Sequence, residues 1–189
     1  MKRLLLILIL TFSYQSLTKA DDIRDFEIEG MSIGDSLLDY YTEKKIKKNL
    51  TSNYRDNEFI ETEIKVNSDK YDSVQIRFKK NDAQYKIVSM AGIKWFIDKI
   101  NLCYELQNKI YKDVFALFKN GKTNNYKKKH SGDPSGESTN VTKGLKFKNK
   151  DVVVIQCYDW SKKIGYWDHL RVSINLKIFE DWLRYKAYK

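Results

Sequence analysis

Between residues 59 and 93 apolar and polar side chains alternate with a period of two, in the runs Phe59 to Val66, Tyr71 to Phe78 and Tyr85 to Ile93. Alternation of this kind marks strands with one buried face. The links Asn67-Ser68-Asp69 and Lys80-Asn81-Asp82 are short and rich in turn residues, so the strands are expected to pair as an antiparallel meander. In the second run Val74, Ile76 and Phe78 share a face, and in the third Tyr85, Ile87 and Ser89 do.

From Phe96 to Lys119 the period lengthens to that of a helix. Ile100, Cys103, Leu106, Ile110, Val114, Leu117 and Phe118 recur at steps of three and four, which places Cys103 toward the core. Gly121 ends the helix, and from there to Gly144 the chain holds Pro134 and four glycines without any hydrophobic period, so residues 120–144 are expected to form a flexible loop. Two further strands, Val152 to Trp160 and His169 to Leu176, are joined through SKKIGYW, with Val153, Ile155 and Cys157 on one face. The tail FEDWLRYKAYK forms a short helix with Phe179, Trp182 and Leu183 inward.

Toward the start, FEIEG alternates like a short strand. Ser32 stands at the position of a helix cap three residues before Asp35, and Ile33, Leu37 and Tyr41 then fall on one helical face. Thr42 to Leu50 forms a second short helix with Ile46 and Leu50 as its apolar pair. Grouped strands and helices without βαβ alternation predict an α+β fold: an antiparallel sheet of about five strands with one long helix and short helices packed on it.

Residues 1–20 do not join this pattern. Lys2 and Arg3 precede an apolar run from Leu4 to Leu10, and small residues end at Ala20, the features of a signal peptide cleaved after that residue. The run is shorter than the roughly 18 residues of a spanning helix. Residues 21–189 then form one α+β domain, periplasmic or secreted. Two cysteines, Cys103 and Cys157, pass through an oxidising compartment and are expected to pair.

Charge changes the picture in one segment. Residues 1–20 carry three basic side chains and no acidic one, so their removal lowers the formal charge from +10 to +7. Residues 119–150 alone carry nine lysines against Asp133 and Glu137, a local charge of +7. Lys127, Lys128, Lys129 and His130 form the densest run and are the candidate contacts for an anionic polymer, such as a glycan or phospholipid headgroups, with nucleic acid not the expected partner. The same run also reads as a solvated loop.

Two serine-hydrolase patterns overlap at Gly34: GMSIG fits G-x-S-x-G, and GDSL opens a second esterase motif. A catalytic serine needs a base, and the histidines are His130, within the lysine run, and His169, adjacent to Asp168 on a strand where neighbours face opposite sides. Neither D-x-x-H nor G-x-N-D occurs. Both matches are read as coincidental, with Ser32 as a helix cap, Ser36 in the first turn that follows and no catalytic residue assigned. No zinc or calcium motif is present, and neither metal nor cofactor is expected. Tyr158, Trp160, Tyr166 and Trp167 cluster at one hairpin end, as an aromatic platform for a sugar or as a plug over the core.

The segments EGMSIGDSLLDYYTEKKIKKN, VQIRFK, CYDWSKK, DHLRVSI and WLRYK together resemble a group of exported proteins of marine alphaproteobacteria with AT-rich genomes. The likeness spans most of the chain after residue 20 except the lysine-rich loop. It implies export and carries no activity with it. The order of two helices and a three-stranded meander also resembles the small outer-membrane assembly lipoproteins and the β-lactamase inhibitor repeats, in order alone. The functional expectation is a non-catalytic protein that binds another envelope component. A polyanion-binding module and a divergent GDSL-like serine esterase are the alternatives.

Overall fold

The computed structural model describes residues 23–51, 54–118 and 120–189, so the leader expected over 1–20 lies outside the described residues. The fold is α+β and is built on one antiparallel sheet. In chain order the strands are β1 (Leu50–Thr51), β2 (Phe59–Lys65), β3 (Ser73–Lys79), β4 (Ser89–Trp95), β5 (Lys122–Thr123), β6 (Tyr126–Lys129), β7 (Thr139–Lys146), β8 (Val152–Asp159) and β9 (His169–Asn175). The helices are α1 (Glu43–Lys48), α2 (Ile100–Leu117) and α3 (Lys177–Tyr185). The sheet order is β1-β2-β3-β4-β9-β8-β7-β5, with β6 also paired to β7. The described residues thus form nine strands where the sequence pattern predicts about five.

The strands with a clear apolar period lie where alternation places them. Val74, Ile76 and Phe78 point to one face and are fully buried, as are Val153, Ile155 and Cys157. Met90, Leu170, Val172 and Ile174 complete this core. On β4, Gly92 lets the Tyr71 ring lie against the strand, where a Cβ would stand 2.5 Å from a ring carbon.

Two layers cover this apolar face. The segment from Ile23 to Ile46 buries Ile23, Ile28, Met31, Ile33, Leu37 and Ile46 in the same core. Helix α2 crosses β7, β8 and β9 and buries Cys103, Gln107 and Val114, and Phe118 is buried just past its end. The Gln107 amide donates to the carbonyls of Val141 and Ile155, each at 2.8 Å, so this polar side chain ties helix to sheet. Cys103 and Cys157 are bonded, with Cα atoms 6.0 Å apart, as expected for two residues that both face the core.

Four expectations are corrected. Ser32 caps no helix: its backbone N–H donates to Asp35 Oδ2 at 2.8 Å in a turn. The helical residues that follow are a single 3-10 turn, Leu37–Asp39, capped by Ser36, and α1 is capped by Thr42. Leu50 lies in β1 and is exposed, outside α1. The third run of alternation breaks as well. Tyr85 sits at φ 50°, and the strand begins only at Ser89.

The largest correction concerns residues 120–144, which form β5, β6 and the first part of β7 in place of a flexible loop. All four residues of β6 are exposed, because the strand pairs only with β7 and neither of its faces meets the core. Without a buried face there is no hydrophobic period to read. The β6–β7 turn is held by Asp133, which accepts from the backbone N–H of Ser135 at 2.8 Å and from both the N–H and the hydroxyl of Ser138. Those hydrogen bonds hold its carboxyl far below the usual carboxylate range.

Candidate functional site

The opposite face of the sheet is polar. Its residues follow from the register: Glu61 and Glu63 on β2, Gln75 and Arg77 on β3, Ser89 on β4, Arg171, Ser173 and Asn175 on β9, Gln156 and Tyr158 on β8, Asn140 and Thr142 on β7, Tyr126 and Lys128 on β6. Helix α3 covers one end of this face. Phe179 and Trp182 pack edge-on against Phe59, with ring centroids 5.7 and 5.1 Å away. The first turn of α3 is fixed by Asp151, which accepts the Lys177 N–H at 2.7 Å, in place of a cap at Leu176.

The uncovered part of the face is a cleft of about 650 Å³. This is the size of a small-ligand site. Its floor follows one row of the register across the strands, Ser173, Val154 and Gly144, where side chains are short. At Gly144 a Cβ would stand 2.7 Å from the Val153 carbonyl oxygen, so the floor tolerates nothing larger there. The flanking rows carry Arg171, Gln156, Thr142 and Tyr126 on one side and Glu61, Arg77, Ser89 and Asn175 on the other.

Two guanidiniums share this cleft and are joined through a single amide. Arg77 is 2 % exposed; its Nη2 donates to Glu61 Oε2 and, at 2.9 Å, to Gln75 Oε1. Arg171 Nη1 donates to the same Gln75 oxygen. The amide is oriented from behind, because Gln75 Nε2 donates to Glu63 Oε2 at 3.0 Å and Ser73 anchors Glu63 through its other oxygen. Glu61 also accepts from Thr51 and Tyr54. Among the described residues no hydrogen-bond partner reaches Arg77 Nε or Nη1, although both atoms are buried.

The electrostatics follow from this geometry. Burial works against the charge on Arg77, but Glu61 beside it outweighs the penalty and raises its pKa. Burial also opposes the Glu61 carboxylate, and Arg77 and then Arg171 overcome it, so its pKa is lowered. For Arg171 the balance falls the other way: burial and then the neighbouring Arg77 lower its pKa, and Tyr158 and Glu61 offset them only in part. Six cationic side chains line the cleft against three carboxylates. The site carries a surplus of positive charge on rigid strands.

Of the residues singled out from the sequence, Lys128 and Tyr158 line the cleft. Lys128 reaches the cleft from β6, with its Nζ 5.4 Å from the Tyr126 ring centroid, whereas Lys127 and Lys129 point to the other side of that edge strand. His130 packs on Trp160, 4.3 Å between centroids, and near Tyr158. The lysine run and the aromatic cluster, distant in sequence, therefore meet. Tyr158 stacks on Trp160 and on His169, which bonds the Trp167 carbonyl through Nδ1. Burial, with Arg171 nearby, lowers the His169 pKa to about 4. Tyr166 packs edge-on against Trp160, and Trp167 against Trp95, yet both remain more than half exposed. Of the four aromatics, then, Tyr158 lines the cleft, Trp160 is half-buried beside it, and Tyr166 and Trp167 face outward.

Ser36 has a structural position. Its hydroxyl donates to the Gln84 carbonyl at 2.7 Å and accepts from the Leu38 N–H at 3.3 Å. Both histidines lie in the aromatic cluster around Trp160. Among the described residues no group of three metal-binding side chains is present, and no helix is long and apolar enough to cross a membrane.

Gln75, Arg77, Glu61 and Arg171 are the residues that sequence reading missed. The signal was available in VQIRF and LRVSI, where a long charged side chain alternates with buried aliphatics. Such a pattern also describes any strand with a solvated face, and only the covering of that face by α3 makes the arginines unusual. Comparison of the chain with protein-family models, with curated proteins and with solved structures found no match.

Proposed function

We propose that this is a non-catalytic binding protein of the cell envelope or its exterior, and that it takes an anionic ligand in the cleft on the polar face of the sheet. One observation carries the reading: two guanidiniums in the same cleft hold one Gln75 oxygen, Arg77 alone is bonded to Glu61, and among the described residues Arg77 keeps two buried N–H groups without a hydrogen-bond partner. Desolvating a cation costs several kcal/mol. An apolar pair would stabilise the sheet as well, so the arrangement is better explained by recognition than by stability. Export is supported by the Cys103–Cys157 disulfide, which belongs to an oxidising compartment, and by the leader pattern of residues 1–20.

The test is a thermal unfolding series on the full chain with acetate, citrate, phosphate and sulfate at constant ionic strength. A ligand that binds only the folded state raises the midpoint with concentration. At least one of these anions is expected to do so in the parent and not in Arg171→Gln. Equal shifts in both proteins would remove the reading.

A second reading rests on β6, where Lys127 and Lys129 stand together on the exposed side of an edge strand. This pair is suited to an extended polyanion crossing the sheet edge. Heparin retention that falls steeply with salt and is lost in a Lys127→Gln, Lys129→Gln double variant supports it, and retention unchanged by that variant sinks it.

A further inference from the structure

We infer that the ligand of the cleft is an acidic oligosaccharide, a short chain of hexuronic acids lying across the strands with one carboxylate at Arg171. The inference rests on the anion-binding reading above and names its chemistry. Three features beyond charge point to it.

First, the lining favours hydroxyl groups over hydrocarbon. Gln75, Gln156, Thr142, Ser173, Asn175 and Asn124 all face the cleft, offering amides and hydroxyls that both donate and accept. Most of these groups already bond one another and keep donor or acceptor capacity toward the cleft; a lipid tail pressed on them would displace water and offer no hydrogen bond, whereas a polyol would offer several.

Second, the polar groups run in a line across the sheet. Arg171, Gln156, Thr142 and Tyr126 occupy one register row on β9, β8, β7 and β6. Neighbouring strands are ~4.8 Å apart, so the row is about 14 Å long from the guanidinium strand to the tyrosine strand. That is the reach of an oligosaccharide and exceeds that of a single small acid. Within the row, Gln156 Nε2 donates to Thr142 Oγ1 at 3.2 Å and Tyr158 donates to Gln156 Oε1 at 3.2 Å, which sets the orientation of these groups before any ligand arrives.

Third, the far end of the row has an aromatic face with a cation beside it. Tyr126 is 40 % exposed and lines the cleft, and Lys128 lies next to its ring. A pyranose ring stacks on such a surface while the ammonium meets the carboxylate of the same residue. Tyr54 and Tyr188, whose rings are 5.7 Å apart, line the cleft at its α3 end.

Arg171 is the group that meets the carboxylate. Its Nη1 is engaged by Gln75, and among the described residues no hydrogen bond reaches its Nε or Nη2, the edge that binds a carboxylate in bidentate fashion. Arg77, almost wholly enclosed, adds positive charge behind it.

Isothermal titration of the full chain at physiological salt tests the inference. The titrants are the tetramers of galacturonic, glucuronic and mannuronic acid, the neutral cellotetraose, and acetate. At least one uronate tetramer is expected to bind tenfold or more tighter than both cellotetraose and acetate. Arg171→Gln should weaken that tetramer at least tenfold without changing the unfolding midpoint of the unliganded protein. Tyr126→Ala should weaken the tetramer several-fold while leaving the matching monomer unchanged. If acetate and the simple anions bind as tightly as every tetramer, the saccharide inference falls and the anion site stands. If neither tetramers nor simple anions bind, both fall. If Tyr126→Ala affects monomer and tetramer equally, the ligand does not run along the row.

Discussion

The two faces of the sheet are built from the same strands and obey opposite rules. On one, Val74, Ile76, Phe78, Val153, Ile155 and Val172 are fully buried against α2 and the N-terminal segment. On the other, one residue further along each strand, stand Gln75, Arg77, Val154, Gln156 and Arg171. The first face gains free energy from every methylene it removes from water, at roughly 25 cal/mol per Å². The second gains little, because each enclosed charge has first to be stripped of solvent. What the contrast teaches is where stability and recognition are separated: substitutions on the apolar face should unfold the protein, and compensated substitutions on the polar face should leave it folded and unable to bind.

The sharpest way to break this division is to remove Glu61 alone. Glu61→Leu leaves Arg77 enclosed without its counterion and is expected to cost about 3–5 kcal/mol in chemical denaturation. The paired change Glu61→Leu, Arg77→Met should recover most of that loss, to within about 1 kcal/mol of the parent, because the desolvation penalty goes with the charges. A double variant as unstable as the single one would show that the polar face is structural after all.

On the apolar face, replacing Cys103 and Cys157 together by serine opens a loop between residues 54 apart in sequence. It is expected to cost about 4 kcal/mol on the chain-entropy account. The denaturation midpoint should fall accordingly, while in protein that remains folded the affinity of the cleft for its anion is unchanged.

His169 probes the border between the faces. Its folded pKa is lowered to about 4 by burial, whereas in an unfolded chain it titrates near 6.5. Below pH 6.5 the unfolded state therefore binds more protons. The stability associated with the neutral ring is present above pH 6.5 and is lost as the pH falls toward 4, by up to about 3 kcal/mol. The stability of the parent relative to His169→Phe should therefore fall by that amount through this window. Parallel curves would place the imidazole outside the buried cluster.

The smallest effect belongs to Ser36. Ser36→Ala removes the cap of the 3-10 turn and is expected to cost about 1 kcal/mol. Treatment of the parent with a fluorophosphonate should leave Ser36 unmodified; labelling there would revive the esterase alternative and overturn its assignment as a cap.

Legibility followed the same division. Strands β2, β3, β8 and β9, helix α2 and helix α3 were readable to within a few residues, because each presents an apolar stripe to the core and repetition at 2.0 or 3.6 residues records that contact. The bond between Cys103 and Cys157 was expected from export and from the presence of just two cysteines, and the place of both residues on core-facing stripes agrees with it. Strand β6 was not. Its four exposed residues, Tyr126 to Lys129, owe their conformation to hydrogen bonds with β7 alone. Backbone pairing leaves no trace in side-chain polarity. The start of β4 was misplaced because Tyr85 and Ile87 continue the alternation while the backbone turns between them, at a positive φ that no neighbouring glycine announces.

The amino-acid sequence by itself determined the α+β class, the two cysteines that meet and the identity of the buried face, since these depend on local periodicity and on which side chains leave water. Tertiary structure alone decided that Arg77 and Arg171 share one amide, that His130 at the end of the lysine run packs on Trp160, and that α3 covers one end of a polar surface. Those outcomes depend on strand order and register, which bring residues 96 positions apart into hydrogen-bond contact and which no spacing within a single strand encodes.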